Sequence, residues 1–246
     1  MSPRQLAQRA RAALREAGDP SVARGQKRFF KPSEKISLYG LKTPDVKRIE
    51  RELYEGVRKS WTFAEARVFC DLLMHDRHLE SKAVGLLLLE RYHRQFEEDL
   101  LGTAQGWLEN GLCDNWAVTD DLSTGVLWRL LERFENLAGQ FEKWRQSPNL
   151  WVRRAGVVVF VKCAGKGRHL DRVYRVVTAL LSDSHDLMHK ACGWLLREAG
   201  KADARRLEKY LLKHGPAIPR TTLRYAIERF PMEKRRRILE HTRGAV

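Results

Sequence analysis

The chain has 246 residues, 43% of them apolar and seven of them tryptophan, enough to bury a substantial core without disulfide staples. A formal net charge of +15 and a pI near 10.0 argue against an enzyme of small neutral metabolites and for a polyanionic partner, nucleic acid first, bound through phosphate neutralisation and counterion release. No apolar run approaches the length of a membrane span, and the arginine-studded start (Arg4, Arg9, Arg11, Arg15) lacks the apolar stretch of a signal peptide.

In chain order, a first amphipathic helix is predicted over 2–17, stopped by the breaker cluster Gly18-Asp19-Pro20. The basic, aromatic piece Gly25-Gln26-Lys27-Arg28-Phe29-Phe30-Lys31 follows, with both phenylalanines expected to dock on the core. After a loop over 32–42, Thr43-Pro44-Asp45 has the form of an N-cap, a proline at the first helical position and an early acid, so a helix should run to about Lys59. From Trp61 onward, helices with short polar joints are predicted over 62–74, 79–96, 97–110, 116–134, 137–146, 150–164, 168–181, 186–199, 202–214, 221–229 and 232–242. No stretch reads as a strand.

A local text recurs within this series, a basic residue followed by alanine and small or aliphatic residues. It is found at Lys82-Ala83-Val84-Gly85, Arg154-Ala155-Gly156-Val157 and Lys190-Ala191-Cys192-Gly193, at spacings of 72 and 36 residues. Asp76, Asn149 and Asp183 stand just ahead as candidate caps. Helix pairs at a period of 36, with small residues where one helix packs closely on the next, predict an all-α fold. Its form would be a right-handed α-solenoid of HEAT-like repeats with a concave basic face, a single domain over 1–246. Equivalent helices of a solenoid line one surface, so Trp116 with Asp120, Trp151 with Arg154, and Lys190 with Trp194 would converge there.

Charge supports a long polyanion. Residues 1–60 carry an excess of +8, residues 61–200 of −1 and residues 201–246 of +8, as if two basic arms flanked a more selective middle. The four cysteines (Cys70, Cys113, Cys163, Cys192) form no CxxC pair, which fits a reducing, cytoplasmic setting. His75 with His78, and His185 with His189, have metal-compatible spacing but no third ligand, so neither a metal nor a cofactor is expected.

The stretch Asn115-Trp116-Ala117-Val118-Thr119-Asp120-Asp121 carries the chemistry. On a helix, Trp116 and Asp120 share a face. An acid in a cationic groove repels the phosphates its surroundings attract, so it needs another task. One is stabilising positive charge on a sugar during glycosidic cleavage, with tryptophan faces adding cation-π attraction of roughly 0.5–2 kcal/mol each. The plainer alternative is an acid complementing the helix dipole, a role open equally to Asp114 and Asp121.

These residues resemble the AlkD-type DNA glycosylases of the DNA alkylation repair family. The likeness runs from Tyr39-Gly40-Leu41-Lys42-Thr43-Pro44 through 72–92 to the C-terminal helices. The family's Trp-x-x-x-Asp motif is matched by Trp116 and Asp120, its Trp-x-x-Arg-Ala pattern by Trp151 to Ala155, and its second cleft tryptophan by Trp194 in Lys190-Ala191-Cys192-Gly193-Trp194. The resemblance implies catalytic Asp120, Trp116 and Trp194, and DNA contacts by Arg154, Trp151 and Lys190. It implies a monomeric, monofunctional glycosylase that removes cationic N3- or N7-alkylated purines from duplex DNA without flipping them. A non-catalytic HEAT-like DNA binder and a protein-binding scaffold are the alternatives, and Asp121 beside Asp120 leaves open which acid acts.

Overall fold

Helical periodicity governs the whole chain, and a computed structural model, which describes residues 1–31, 34 and 36–243, shows helices and connections with no strand among those residues. A lone bridge joins Ser37 to His78. Part of the loop expected at 32–42 (Pro32, Ser33 and Lys35) lies outside the described residues. The chain divides into two compact units, Met1–Phe134 and Glu135–Val246.

In the N-terminal unit, α1 (Pro3–Glu16) opens on a capping box in which Ser2 and Gln5 satisfy each other's backbone N–H groups. Helix α2 (Pro20–Lys27) starts at Asp19, whose carboxylate accepts from the Ser21 N–H at 2.7 Å. Helix α3 (Thr43–Glu55) starts one residue earlier than its sequence suggests. Thr43 is already helical, so Lys42 occupies the cap without a side-chain bond, and the helix ends at Glu55 rather than Lys59. There follow α4 (Phe63–Met74), α5 (Leu79–Arg91), a 3-10 turn at His93–Gln95 and α6 (Leu100–Glu109). The helix predicted over 116–134 is α7 (Trp116–Leu122) and α8 (Trp128–Arg133) joined by a π turn at Ser123–Leu127. Helices α1, α3, α4 and α7 all pack on α5. With neighbours on so many sides, α5 buries Val84, Leu86, Leu88 and Leu89.

The C-terminal unit holds α9 (Ala138–Lys143), α10 (Leu150–Val158), α11 (Val161–Gly165), α12 (Leu170–Ala179), α13 (Asp186–Ala202), α14 (Ala204–His214), α15 (Arg220–Ala226) and α16 (Met232–His241). The predicted 150–164 helix breaks at Val159-Phe160, after a run of β-branched residues that fit a continuous helix poorly. Here α13 is central, with α10, α11, α12, α14 and α15 against it.

The recurring text has a recurring physical job inside both units. A Cβ on Gly85 would lie 3.2 Å from Leu73 Cβ, one on Gly156 2.8 Å from Phe141 O, and one on Gly193 2.5 Å from Tyr225 Cβ, so each glycine permits a close helix approach. Ahead of the three helices, Asp76, Ser147 and Asp183 each accept the N–H of the residue two positions on, at 2.9, 3.2 and 2.9 Å. Asn149 caps α10 directly, whereas Asp76 and Asp183 brace the turn before the cap. The basic residues Lys82 and Arg154 are buried, 6% and 5% exposed, and donate to the backbone carbonyls of Leu112 and Leu187 at 2.6 and 2.5 Å.

Candidate active site

Asn115 builds the start of α7. Its buried side chain accepts the Val118 N–H at 3.1 Å, which fixes Trp116 at the first helical position. Trp116 is half-buried, and one ring face is stacked on Phe30, with centroids 5.2 Å apart and planes 23° from parallel. Asp120, also half-buried, stands four residues further on the same face. Thr124 Oγ1 donates to the Asp120 carbonyl at 2.8 Å and Ser123 Oγ to the Thr119 carbonyl at 2.6 Å, the back-bonding that accompanies the π turn.

Asp121 looks elsewhere. The line Asp121, Gly125, Arg129 runs toward α5, where a Cβ on Gly125 would lie 3.1 Å from Glu90 Oε2 and Arg129 pairs with Glu90 at 3.2 Å. The Asp121 side chain is exposed, yet the protein around it, and next the charge of Asp120, push its carboxyl up to about 6; Lys47 opposes the rise and Glu90 adds to it. The two adjacent acids thus have different settings, Asp120 on the indole's face of the helix and Asp121 among the charges of Asp120, Lys47 and Glu90.

In the C-terminal unit, Trp151 and Trp194 are half-buried on α10 and α13. Arg154 is buried against the Leu187 carbonyl, and the neighbouring Arg153 is tied to Asp183 at 3.1 Å and to the carbonyls of Ser147 and Pro148. Lys190 is partly exposed and pairs with Asp186 at 2.8 Å. The structure therefore brings Trp116, Asp120 and Asp121 together in one unit, and Trp151, Arg154, Lys190 and Trp194 belong to the other.

Several residues at or around the site were not nominated by the sequence for these contacts. Phe30 meets Trp116 rather than the core, and Phe29 is 75% exposed. Glu80, 3% exposed, accepts the N–H groups of Tyr39, Gly40 and Leu41 at 3.0, 2.8 and 3.2 Å. An acid opening the apolar run of α5 is the one signal that hinted at it. The histidines have local duties: His75 bonds the Asp71 carbonyl, His78 meets Asp76 and stacks on Tyr39, the His185 ring accepts the Leu187 N–H, and His189 meets the Asp183 carbonyl. Among the described residues no three His, Cys, Asp or Glu side chains gather as a metal site would require. The four cysteines are buried and form no disulfide, and burial pushes the Cys113 and Cys192 thiols up to about 12, out of reach of nucleophilic work at neutral pH.

Comparison with known proteins agrees with the resemblance in the sequence. A family model described as DNA alkylation repair enzyme matches residues 10–230, and the chain belongs to that family. A solved structure described as a predicted DNA alkylation repair enzyme from Enterococcus faecalis is 13% identical, with a TM-score of 0.74 over 87% of this chain and 97% of that one. At that identity the likeness speaks for the all-α fold alone. No curated protein matches the sequence significantly. Membership brings the coarse function with it, repair of alkylated DNA, and DNA as the partner. No described helix is long and apolar enough to cross a membrane.

Proposed function

We propose that the protein is a monofunctional DNA glycosylase that hydrolyses the N-glycosidic bond of cationic N3- or N7-alkylated purines in duplex DNA, without base flipping. The observation that carries the reading is the half-buried Trp116–Asp120 pair on one face of α7, in a chain of net charge +15. In the reaction the C1′–N bond breaks and its electron pair moves onto the base, cancelling the positive charge that alkylation placed there. The base leaves neutral, so no general acid is required. Positive charge develops on the deoxyribose, and the Asp120 carboxylate stabilises it electrostatically. Water adds to C1′, its proton passes to Asp120 or solvent, and an abasic site remains. Trp116 offers a π face to the sugar's charge. Trp194 is the corresponding aromatic of the C-terminal unit, with Trp151 and Lys190 as DNA contacts.

Of the two acids, Asp120 fits the task. It shares the indole's face, whereas the Asp121 carboxyl is raised above its ordinary value by burial and by the charge of Asp120. The decisive assay measures 7-methylguanine and 3-methyladenine released from methylated duplex DNA by the protein and by Asp120→Asn and Asp121→Asn. Release by wild type that is abolished in Asp120→Asn alone supports the reading. No release by wild type favours a non-catalytic DNA-binding member of the family, and loss in Asp121→Asn alone moves the role to the neighbouring acid. Borohydride should trap no protein–DNA adduct, because water rather than a lysine amine is the nucleophile.

A further inference from the structure

Trp116 stands at the first position of a seven-residue helix, where a large side chain has few neighbours of its own element to fix its ring. Its orientation therefore depends on what lies across from it, and that is Phe30. We infer that Phe30 is a positioning residue for Trp116, stacking on one face of the indole so that the opposite face is the one offered to DNA. The inference rests on the reading of Trp116 as an active-site residue.

The anchoring of the stack makes it more than a chance ring contact. Phe30 follows α2, and α2 is tethered to the loop at 39–41. Gln26 Nε2 donates to the Leu41 carbonyl at 2.7 Å, and Asp19 N donates to the Gly40 carbonyl at 3.3 Å. Gly40 has φ +91°, and a Cβ there would fall 2.0 Å from Asp19 O, so only glycine lets the loop and α2 meet this closely. The loop is in turn clamped by the three N–H groups that converge on the buried Glu80 carboxylate of α5. The other side of the stack traces to the same helix. Lys82, two residues along α5, donates to the Leu112 carbonyl ahead of Asn115 and α7. Glu80 thus places Phe30 and Lys82 places Trp116, with one rigid, buried helix as the common reference. A ring oriented before DNA arrives need not be ordered during the reaction, which is the advantage preorganisation confers.

Two readouts test this. Emission of Trp116, taken as the difference between each protein and its Trp116→Phe counterpart, should shift to the red and become more accessible to acrylamide in Phe30→Ala. Single-turnover excision from a duplex carrying one 7-methylguanine should fall about tenfold in Phe30→Ala with DNA affinity within about twofold, and Phe30→Tyr, which keeps the ring, should stay near the wild-type rate. Glu80→Gln should reproduce the emission change in weaker form if the clamp reaches Phe30. Unchanged Trp116 emission in Phe30→Ala overturns the inference whatever the activity. So does an altered emission with an unaltered excision rate. If emission changes as expected while wild type excises nothing, the stack stands, the glycosylase reading fails, and the positioning role for catalysis falls with it. Phe30→Leu, milder in volume, repeats the comparison if Phe30→Ala melts early.

Discussion

The carboxylates of α7 and the cations of α10 and α13 are the two halves of one sequence-level constellation, and the protein treats them in opposite ways. On α7, burial first and then the charge of Asp120 hold Asp121 toward its protonated form, with Lys47 opposing and Glu90 adding to the rise. On α10 and α13, Arg154 is buried against a backbone carbonyl and Lys190 is paired with Asp186. One carboxyl of α7 is raised by its setting, whereas the two cations have partners within their own unit. Perturbed carboxyls gather at functional sites more often than elsewhere, while an internally satisfied arginine is first a structural part. A basic residue counted toward a binding surface is not always a charge that a ligand can reach.

Substitutions on α5, α7, α10 and α13 should differ in what they disturb. The largest effect is expected for Asp120→Asn, which should lower single-turnover excision by about 100-fold or more while leaving DNA affinity equal or slightly tighter, since a repelling charge is gone. Next come Arg154→Ala and Lys82→Ala. If both basic residues serve as joints, each should cost about 2–4 kcal/mol in urea unfolding, because each leaves a carbonyl and its surroundings without their buried cation. An Arg154→Ala protein of unchanged urea midpoint and weakened DNA binding would instead return Arg154 to the DNA surface and dissolve the contrast.

Lys190→Ala should change stability by no more than about 0.5 kcal/mol, as expected of an exposed i,i+4 pair. It should lower the salt dependence of DNA affinity by about one unit of slope if the ammonium meets a phosphate. The smallest effect belongs to Asp121→Asn. A carboxyl raised from 3.8 to about 6 favours the fold below its unfolded value and loses that contribution as pH climbs through 6. Asn in its place should therefore raise the melting temperature modestly at pH 7.5, with the gain vanishing near pH 4, and the exposure of the residue keeps it small. A melting temperature that falls at pH 7.5 would remove the unfavourable setting ascribed to the Asp121 carboxylate.

What the sequence disclosed follows from the range of each interaction. Helices were legible because their apolar residues repeat locally, and Trp116 with Asp120 because four residues place two side chains on one face whatever the rest of the chain does. The glycines of the recurring text were legible as close-packing points. Phe30 over Trp116 was not, since the partners are separated by a loop and four helices and nothing in Phe29-Phe30 says which ring turns inward. The destination of Arg154 was hidden for a similar reason. Arginine reads as surface by type, and only the equivalent behaviour of Lys82 shows that this position reaches a carbonyl. The π turn was not read from the sequence, although Ser123-Thr124-Gly125 opens it with two hydroxyls that bond back to carbonyls and a glycine.

That turn makes chain length an aiming device. A five-residue turn holds one residue more than the helix around it needs, and each residue of an α-helix advances the side chains by about 100°. Deleting one residue within Ser123–Leu127 would leave a plausible continuous helix. Yet with Trp128 and Leu131 still fixed in the core, the face bearing Trp116 and Asp120 would swing away from Phe30. Such a deletion changes no residue of the site and alters only the count of residues before the core.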